Sequence, residues 1–162
     1  MQDPTDSNTM RILIVDDDQS SRQSLALILK RQGFEVDMAA SGQQALAKAD
    51  ASPFHAVLLD IRLPDIAGLD LIQPLKERQP DLAVVMVTAF ASLDTAIQAM
   101  NEGASAYVTK PLNIDQVLMT IRQAIERQRL VIENRALLKA AQRELAERKR
   151  AEAAHLLLSS AI

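Results

Sequence analysis

Acidic residues, a hydroxyl and a lysine each follow a short apolar run in this chain of 162 residues. Asp16 and Asp17 follow the first run, Asp60 the third, Thr88 the fourth and Lys110 the fifth. If the carboxylates meet in space, their mutual repulsion favours a hard cation with oxygen ligands, for which magnesium is the natural candidate. Asp60 is then a candidate nucleophile for a phosphoryl group, with Thr88 as hydrogen-bond donor and Lys110 as neutralising charge. These residue types predict a site that handles phosphoryl groups.

The apolar runs are predicted β-strands that alternate with amphipathic helices. The strands are short and rich in β-branched residues, whereas the helices carry apolar residues at a spacing of three and four. Because three of the strands are apolar nearly throughout, we expect parallel strands covered by helices on both faces. The alternation predicts an α/β fold with a doubly wound, five-stranded parallel sheet. The predicted strands are 12–15, 36–39, 56–59, 82–87 and 106–109, and the predicted helices are 20–31, 42–51, 69–78 and 93–101.

The predicted site residues all lie at the carboxyl ends of strands, where doubly wound sheets bind their ligands. If the first and third strands are neighbours, the carboxylates of Asp16, Asp17 and Asp60 converge. A single aspartate after a strand is more often a helix N-cap, and we assign that role to Asp18, before the helix that begins near Ser20. Capping does not explain an acidic pair, a third acid, a hydroxyl and a lysine on one edge of a sheet.

A second, basic segment follows the α/β pattern. Residues 1–126 carry 10 Lys and Arg against 17 Asp and Glu, whereas residues 127–162 carry 8 against 4. We predict a disordered tail at 1–9, one domain at 10–126 and a helical linker or coiled-coil extension at 127–162. The basic charges are spread around a helix without aromatic neighbours, which favours a solvated face over direct contact with nucleic acid.

An apolar stripe in the basic segment predicts a homodimer. Its members step by three and four residues, as in the seam of a coiled coil, and Asn134 is a polar residue able to set the register. A helix that folds back on its own domain would show a similar stripe, so this alternative stays open. The stripe consists of Val131, Asn134, Leu138, Ala141 and Leu145.

Composition narrows the class of protein and its compartment. Cysteine is absent, which excludes disulfides and thiolate chemistry and favours a reducing compartment. The polar first ten residues do not resemble a secretory signal, and the longest apolar run, 82–87, is too short to cross a bilayer. We expect a soluble, cytoplasmic protein without a membrane partner. His55 and His155 lack a second ligand at a useful spacing and are expected to be solvated.

Four segments resemble the receiver domains of bacterial response regulators, the phosphoacceptor proteins of two-component systems. They are residues 15–18 (VDDD), 59–64 (LDIRLP), 87–89 (VTA) and 108–111 (VTKP). The resemblance extends over roughly residues 10–126, with the motifs in order. It implies a CheY-like, flavodoxin-like sheet with strand order 2-1-3-4-5.

The resemblance also implies roles for individual residues. Asp60 would be the phosphoacceptor, Asp16 and Asp17 would bind magnesium, and Arg62 would lend the metal a backbone carbonyl. Ala67 departs from the family's pattern, since an acidic residue is often found at its position. We expect this departure to affect the loop more than the chemistry.

Further roles concern the phosphoryl group and its donor. By resemblance, Thr88 and Lys110 contact the phosphoryl group, Tyr107 is a switch aromatic that moves inward with Thr88, and the Lys110–Pro111 peptide bond is cis. The donor would be a phosphohistidine of a sensor histidine kinase or phosphotransfer protein. The chain would then be no enzyme beyond its own phosphorylation and dephosphorylation.

Two other functions compete with this interpretation. Haloacid-dehalogenase-like phosphatases also use an aspartate nucleophile and magnesium. Those enzymes carry an Asp-x-Asp motif at the nucleophile, whereas here Arg62 stands two residues after Asp60. A receiver-like interaction module that works without phosphorylation is the other alternative. The type of output domain stays open. Residues 130–135 resemble linkers of enhancer-binding transcriptional activators, whereas residues 145–152 resemble signalling helices that precede sensory or kinase domains.

Overall fold

Along the described part of the chain, five strands alternate with five helices, as the periodicity predicts. The computed structural model describes residues 9–89 and 92–160, so the tail predicted at residues 1–9 lies, except for Thr9, outside the described residues. Each predicted strand or helix bound lies within one residue of the observed one. The elements are β1 (Arg11–Val15), α1 (Gln19–Arg31), β2 (Glu35–Ala39), α2 (Gly42–Ala51), β3 (Ala56–Asp60), α3 (Gly68–Arg78), β4 (Ala83–Thr88), α4 (Leu93–Asn101), β5 (Ala106–Thr109) and α5 (Ile114–Ser160).

The strands form one parallel sheet in the order β2-β1-β3-β4-β5. This confirms the doubly wound sheet and the strand order that the resemblance implies. In the register of the sheet, Val15 lies opposite Leu59, Asp60 opposite Val87 and Thr88 opposite Thr109. The residues that end or follow β1, β3, β4 and β5 therefore share one edge of the sheet.

Alternate residues of each central strand pack against helices on opposite faces of the sheet. On β1, Ile12 and Ile14 belong to a core cluster that includes residues of α1 and α5. Leu13 and Val15 belong to the opposite cluster, which includes residues of α2 and α3. Burial on both faces explains why β1, β3 and β4 are apolar almost throughout their length.

The described chain divides into two units at residue 128, and the second consists of the described residues 129–160. Every residue from 129 to 159 is exposed, including the predicted seam residues Val131, Leu138 and Leu145. Ion pairs within this helix join Arg129 to Glu133 and Arg148 to Glu144. Among the described residues, no helix combines the length and the apolar character needed to span a membrane.

Helix α3 begins without a side-chain cap. Side-chain oxygens of Asp18, Ser41 and Ser92 accept backbone N–H groups at the starts of α1, α2 and α4, whereas Ala67 has no oxygen to offer at the start of α3. The backbone of Ala67 is already extended (φ −62°, ψ 137°), which is the conformation of an N-cap residue.

We expect Ala67→Ser to stabilise the fold by about 0.5–1 kcal/mol, because the serine hydroxyl would accept a backbone N–H group in the first turn of α3, where no side chain now does so. This gain corresponds to an increase in Tm of about 2–4 °C, measurable by thermal unfolding. Ala67→Val is the matched control, since it adds bulk without an acceptor. An equal increase in Tm for both variants would contradict the capping explanation.

Candidate acidic phosphoryl-transfer site

Three carboxylates meet at the carboxyl edge of the sheet. One carboxylate oxygen from each of Asp16, Asp17 and Asp60 lies within 4.8 Å of the others. Asp16 is buried, Asp60 is half-buried and Asp17 is exposed, so the group opens to solvent on one side. Three carboxylates at this spacing fit a hard divalent cation such as magnesium, which takes oxygen ligands and keeps several waters.

Asp16 is fixed by hydrogen bonds to both its backbone and its side chain. Its backbone N–H donates to the Ala39 carbonyl (3.1 Å), its own carbonyl accepts from the Arg22 guanidinium (2.7 Å), and its Oδ1 accepts from the backbone N–H of Asp18 (2.9 Å). Its remaining carboxylate oxygen, Oδ2, is directed to Lys110. Sequence reasoning did not single out Arg22, because nothing in the spacing of the chain indicates a partner six residues earlier.

Asp18 caps α1, as predicted. Its Oδ1 accepts the backbone N–H of Ser20 (3.3 Å), and its Oδ2 accepts the Ser21 hydroxyl (2.6 Å). The Ser21 hydroxyl lowers the pKa of Asp18 below its ordinary value, and the backbone N–H groups of Ser20 and Ser21 add to this effect. Asp18 is therefore an ionised cap, consistent with its position outside the group of three carboxylates.

Lys110 joins two of the acids. Its Nζ donates to Asp60 Oδ2 (3.0 Å) and to Asp16 Oδ2 (3.3 Å). Burial by itself lowers the pKa of Lys110, but the hydrogen bond and charge of Asp60, together with Asp16, outweigh burial and raise that pKa above its ordinary value. Lys110 is thus a permanent positive charge beside the carboxylates at neutral pH.

The ends of β4 and β5 position Thr88 and Lys110. Thr88 is almost fully buried, and its carbonyl accepts the backbone N–H of Lys110 (2.8 Å). The Lys110–Pro111 peptide bond is cis. Tyr107 lies opposite Met86 in the sheet register and is half-buried against the core cluster that includes α2 and α3.

The loop after β3 is in direct contact with Asp60. The backbone N–H of Arg62 donates to Asp60 Oδ1 (3.1 Å), and the N–H of Gly68 donates to the Ile61 carbonyl (2.7 Å). A Cβ atom at Gly68 would lie 2.2 Å from the Asp60 carbonyl oxygen, a distance that no side chain allows. Glycine is required here because α3 starts directly against the backbone of Asp60.

Neither histidine belongs to the site. The Nδ1 atom of His55 accepts the backbone N–H of Arg11 (3.0 Å) at the opposite end of β1, and His155 is exposed on α5. Burial of the imidazole, followed by the charge of Arg11, lowers the pKa of His55 below its ordinary value. His55 is exposed as a residue, and its imidazole is neutral at neutral pH.

An apolar cleft of about 320 Å³ lies beside the acids. Leu25 and Ile28 of α1 line it together with Leu112 from the segment after β5, while Asp60 and Lys110 also contribute to its wall. Sequence patterns do not predict this cleft, because its apolar residues come from segments far apart in the chain. Its position makes an apolar contact with a partner possible next to the carboxylates.

Known proteins are similar to this chain in both sequence and fold. A family model of the response regulator receiver domain matches residues 12–122. The transcriptional regulatory protein ZraR of Klebsiella oxytoca is 38% identical over 119 residues, which cover 74% of this chain and 27% of that protein. The chain spans between a quarter and a third of the length of the curated relatives it matches.

Two solved structures are similar to the chain over about three quarters of its length. A response regulator from Burkholderia pseudomallei, with a phosphorylated aspartic acid, a calcium ion and citrate, is 33% identical, with a TM-score of 0.68, over 75% of this chain and 71% of that one. The beryllofluoride-activated NtrC4 receiver domain dimer is 36% identical, with a TM-score of 0.70, over 73% of this chain and 98% of that one. The chain therefore belongs to the response regulator receiver domain family.

Proposed function

We propose that Asp60 accepts a phosphoryl group from a phosphohistidine of a sensor histidine kinase or phosphotransfer protein. The observation that carries the proposal is the group of three carboxylates at the carboxyl edge of the sheet, two of which pair with one lysine. Asp16, Asp17, Asp60 and the backbone carbonyl of Arg62 would hold a magnesium ion. When bound, magnesium would neutralise charge on the phosphoryl oxygens. The phosphorylated aspartic acid and calcium ion of the Burkholderia protein support this assignment.

The reaction is an in-line displacement at phosphorus. An oxygen of Asp60 forms the new O–P bond while the P–N bond to the donor imidazole breaks, and the imidazole nitrogen keeps the electron pair and is reprotonated from water. Lys110, whose Nζ already lies 3.0 Å from Asp60 Oδ2, neutralises the transferred group, and the Thr88 hydroxyl donates a hydrogen bond to it. The protein contributes mainly position and charge, as in other phosphoryl transfers.

The partner would dock beside the acids, and phosphorylation would be transmitted as a change in the conformation of the domain. The apolar cleft lined by Leu25, Ile28 and Leu112 offers the donor protein an apolar contact close to Asp60. Movement of Thr88 toward the phosphoryl group would draw Tyr107 inward. The chain would catalyse only its own phosphorylation and dephosphorylation, and an output domain elsewhere in a longer protein would act on the signal.

A direct test is mass spectrometry of the purified chain after incubation with acetyl phosphate, with magnesium or with excess EDTA. We expect one labile phosphoryl adduct that forms only with magnesium. Lack of an adduct under both conditions would contradict the phosphoacceptor role and would favour a receiver-like module that works without phosphorylation.

We further propose that the helix of residues 129–160 pairs with a second copy of the chain. Val131, Leu138 and Leu145 are about half exposed in the single chain, although they recur every seven residues as in a coiled-coil seam. The dimer named in the NtrC4 structure supports self-association in the family. The basic residues Arg129 and Arg148 pair with acids of the same helix, which supports a role in transmission without direct contact with nucleic acid.

Charge favours parallel pairing of the two helices. With Leu138 in the seam, Glu144 of one copy meets Lys149 of the other in a parallel pair, and these opposite charges attract. The chain lacks cysteine, so single cysteines can report the orientation. We expect Val131→Cys and Leu145→Cys each to form, on mild oxidation, a disulfide between the introduced cysteines of two identical chains.

Lys139→Cys, on the opposite side of the same helix, is the matched control and should remain a monomer on a non-reducing gel. A disulfide that forms only in a mixture of the Val131→Cys and Leu145→Cys variants would indicate antiparallel pairing instead. Sedimentation of the chain before and after treatment with acetyl phosphate measures whether pairing responds to phosphorylation. An unchanged monomer in both states would contradict the proposed transmission.

A further inference from the structure

The loop between β3 and α3, residues 61–67, contacts the Asp60 carboxylate. Its backbone contributes the N–H of Arg62, which donates to Asp60 Oδ1 at 3.1 Å. Its C-terminal end is fixed by Gly68, whose N–H donates to the Ile61 carbonyl at 2.7 Å. A shift of this loop would therefore move both the donor of that hydrogen bond and the Arg62 carbonyl proposed to face the metal.

The middle of the same loop is held by α2. Asp65 Oδ1 accepts the backbone N–H of Gly42 (2.8 Å), and Asp65 Oδ2 accepts that of Gln43 (2.9 Å). A Cβ atom at Gly42 would lie 2.0 Å from Ile66 Cγ2, so the loop packs directly on the first turn of the helix. The N–H groups of Gln43 and Gly42 lower the pKa of Asp65 below its ordinary value, and its carboxylate is ionised at neutral pH.

Helix α2 does not need Asp65 in order to begin. Ser41 Oγ accepts the backbone N–H of Gln44 (3.2 Å), and Gln44 Oε1 accepts the N–H of Ala40 (2.8 Å). These local contacts already form a helix start of the usual kind. The bonds to Asp65 span 22 and 23 residues of sequence, and their distinctive effect is to attach the loop to the helix.

We propose that Asp65 is a positioning residue for the metal and phosphoacceptor site. By holding residues 61–67 against the N-terminus of α2, it keeps the Arg62 backbone in the place where it contacts the carboxylate of Asp60. This inference rests on the proposed function, because it concerns the magnesium ion assigned to the site. It adds a residue outside the ligand set and a physical connection from the site to α2.

The connection operates in both directions. If the contact of Asp65 with α2 favours magnesium binding, bound magnesium must favour that contact by the same factor. The backbone amides of Gly42 and Gln43 donate to Asp65, so their hydrogen exchange should slow when magnesium binds. A residue that stabilised only α2 would not link the exchange of these two amides to the cation.

The test compares Asp65→Ala with Ser41→Ala, which removes a cap from the same helix without affecting the loop. Magnesium affinity is measured by calorimetric titration with magnesium chloride, and folding by thermal unfolding. We expect Asp65→Ala to weaken magnesium binding by about tenfold, as is typical for residues that orient a ligand set from outside it. Asp65→Asn, which retains one acceptor oxygen, should have an intermediate affinity. Ser41→Ala should lower Tm and leave magnesium affinity unchanged.

The results distinguish this inference from the proposed function. Unchanged magnesium affinity in Asp65→Ala, or an equal loss in Ser41→Ala, would overturn the positioning role while the wild-type chain still bound magnesium and took up a phosphoryl group. If the wild-type chain bound no magnesium, both proposals would be wrong. Slower exchange of the Gly42 and Gln43 amides in the magnesium-bound wild type, absent in Asp65→Ala, would support the connection.

Discussion

Asp60→Asn is expected to abolish phosphoryl uptake from acetyl phosphate, reducing its rate by more than about a hundredfold. The amide is nearly isosteric with the carboxylate but is a poor nucleophile toward phosphorus. Its carbonyl oxygen can still accept the N–H of Arg62, as Asp60 Oδ1 does in the wild type at 3.1 Å. The fold should therefore persist, and intact-mass spectrometry should detect no labile adduct.

Asp18→Asn is the matched control for this substitution. Asp18 lies beside the acidic group in sequence, but its side chain caps α1 at Ser20. Asparagine caps helices about as well as aspartate, so this variant loses one acidic charge while the helix start is retained. If Asp18→Asn takes up the phosphoryl group normally and Asp60→Asn takes up none, Asp60 is the acceptor. An adduct that persisted in Asp60→Asn would show that another residue accepts the phosphoryl group.

Lys110→Met should change two measurements in opposite directions. Uptake of the phosphoryl group should slow by about 10²- to 10³-fold, the usual effect of removing one group that stabilises charge in a transition state. Magnesium should bind more tightly, because a positive charge is removed from beside Asp16 and Asp60, where it lies at 3.3 and 3.0 Å. Two unit charges about 4 Å apart in water interact by about 1 kcal/mol, so for a divalent cation the lysine charge contributes about 2 kcal/mol, or about thirtyfold in affinity.

Lys110→Arg separates the effect of the positive charge of Lys110 from the effect of the shape of its ammonium group. Arginine retains the charge, so magnesium affinity should remain near that of the wild type, while its planar guanidinium cannot reproduce the contacts of the ammonium group and uptake should still slow. Calorimetric titration and the rate of adduct formation measure the two effects separately. Weaker magnesium binding by Lys110→Met would mean that Lys110 mainly holds the two carboxylates in place.

Most of the fold follows from local patterns in the sequence. The β-branched runs predict each strand to within one residue. For the central strands β1, β3 and β4 the reason is that strands buried on both faces exclude charged residues from their interior and are bounded by polar ones. Gly33 and Gly103 mark the ends of α1 and α4, because both have the positive φ values that favour glycine. The strand order came from the resemblance, because alternation alone leaves several orders of a parallel sheet open.

The candidate site was predictable where its chemistry depends on strand ends. Asp16, Asp17 and Asp60 follow or end strands, and a parallel sheet brings such residues to one edge. Asp65 was missed because its partners are backbone N–H groups, which no residue type reveals, and because a loop acid after Pro64 is ordinary turn chemistry. The apolar cleft was missed for a similar reason, since Leu25 and Leu112 meet only through tertiary packing.

The ion pairs of Lys110 also concern the synthesis of the chain. They join residues 94 and 50 positions apart, and Lys110 is translated after all five strands. A ribosome-bound chain that has reached only β4 contains the acids but lacks the neutralising lysine, so their repulsion is unopposed. Competence to receive a phosphoryl group would thus arise late in biosynthesis, and incomplete polypeptides would not compete with finished molecules for the phosphodonor.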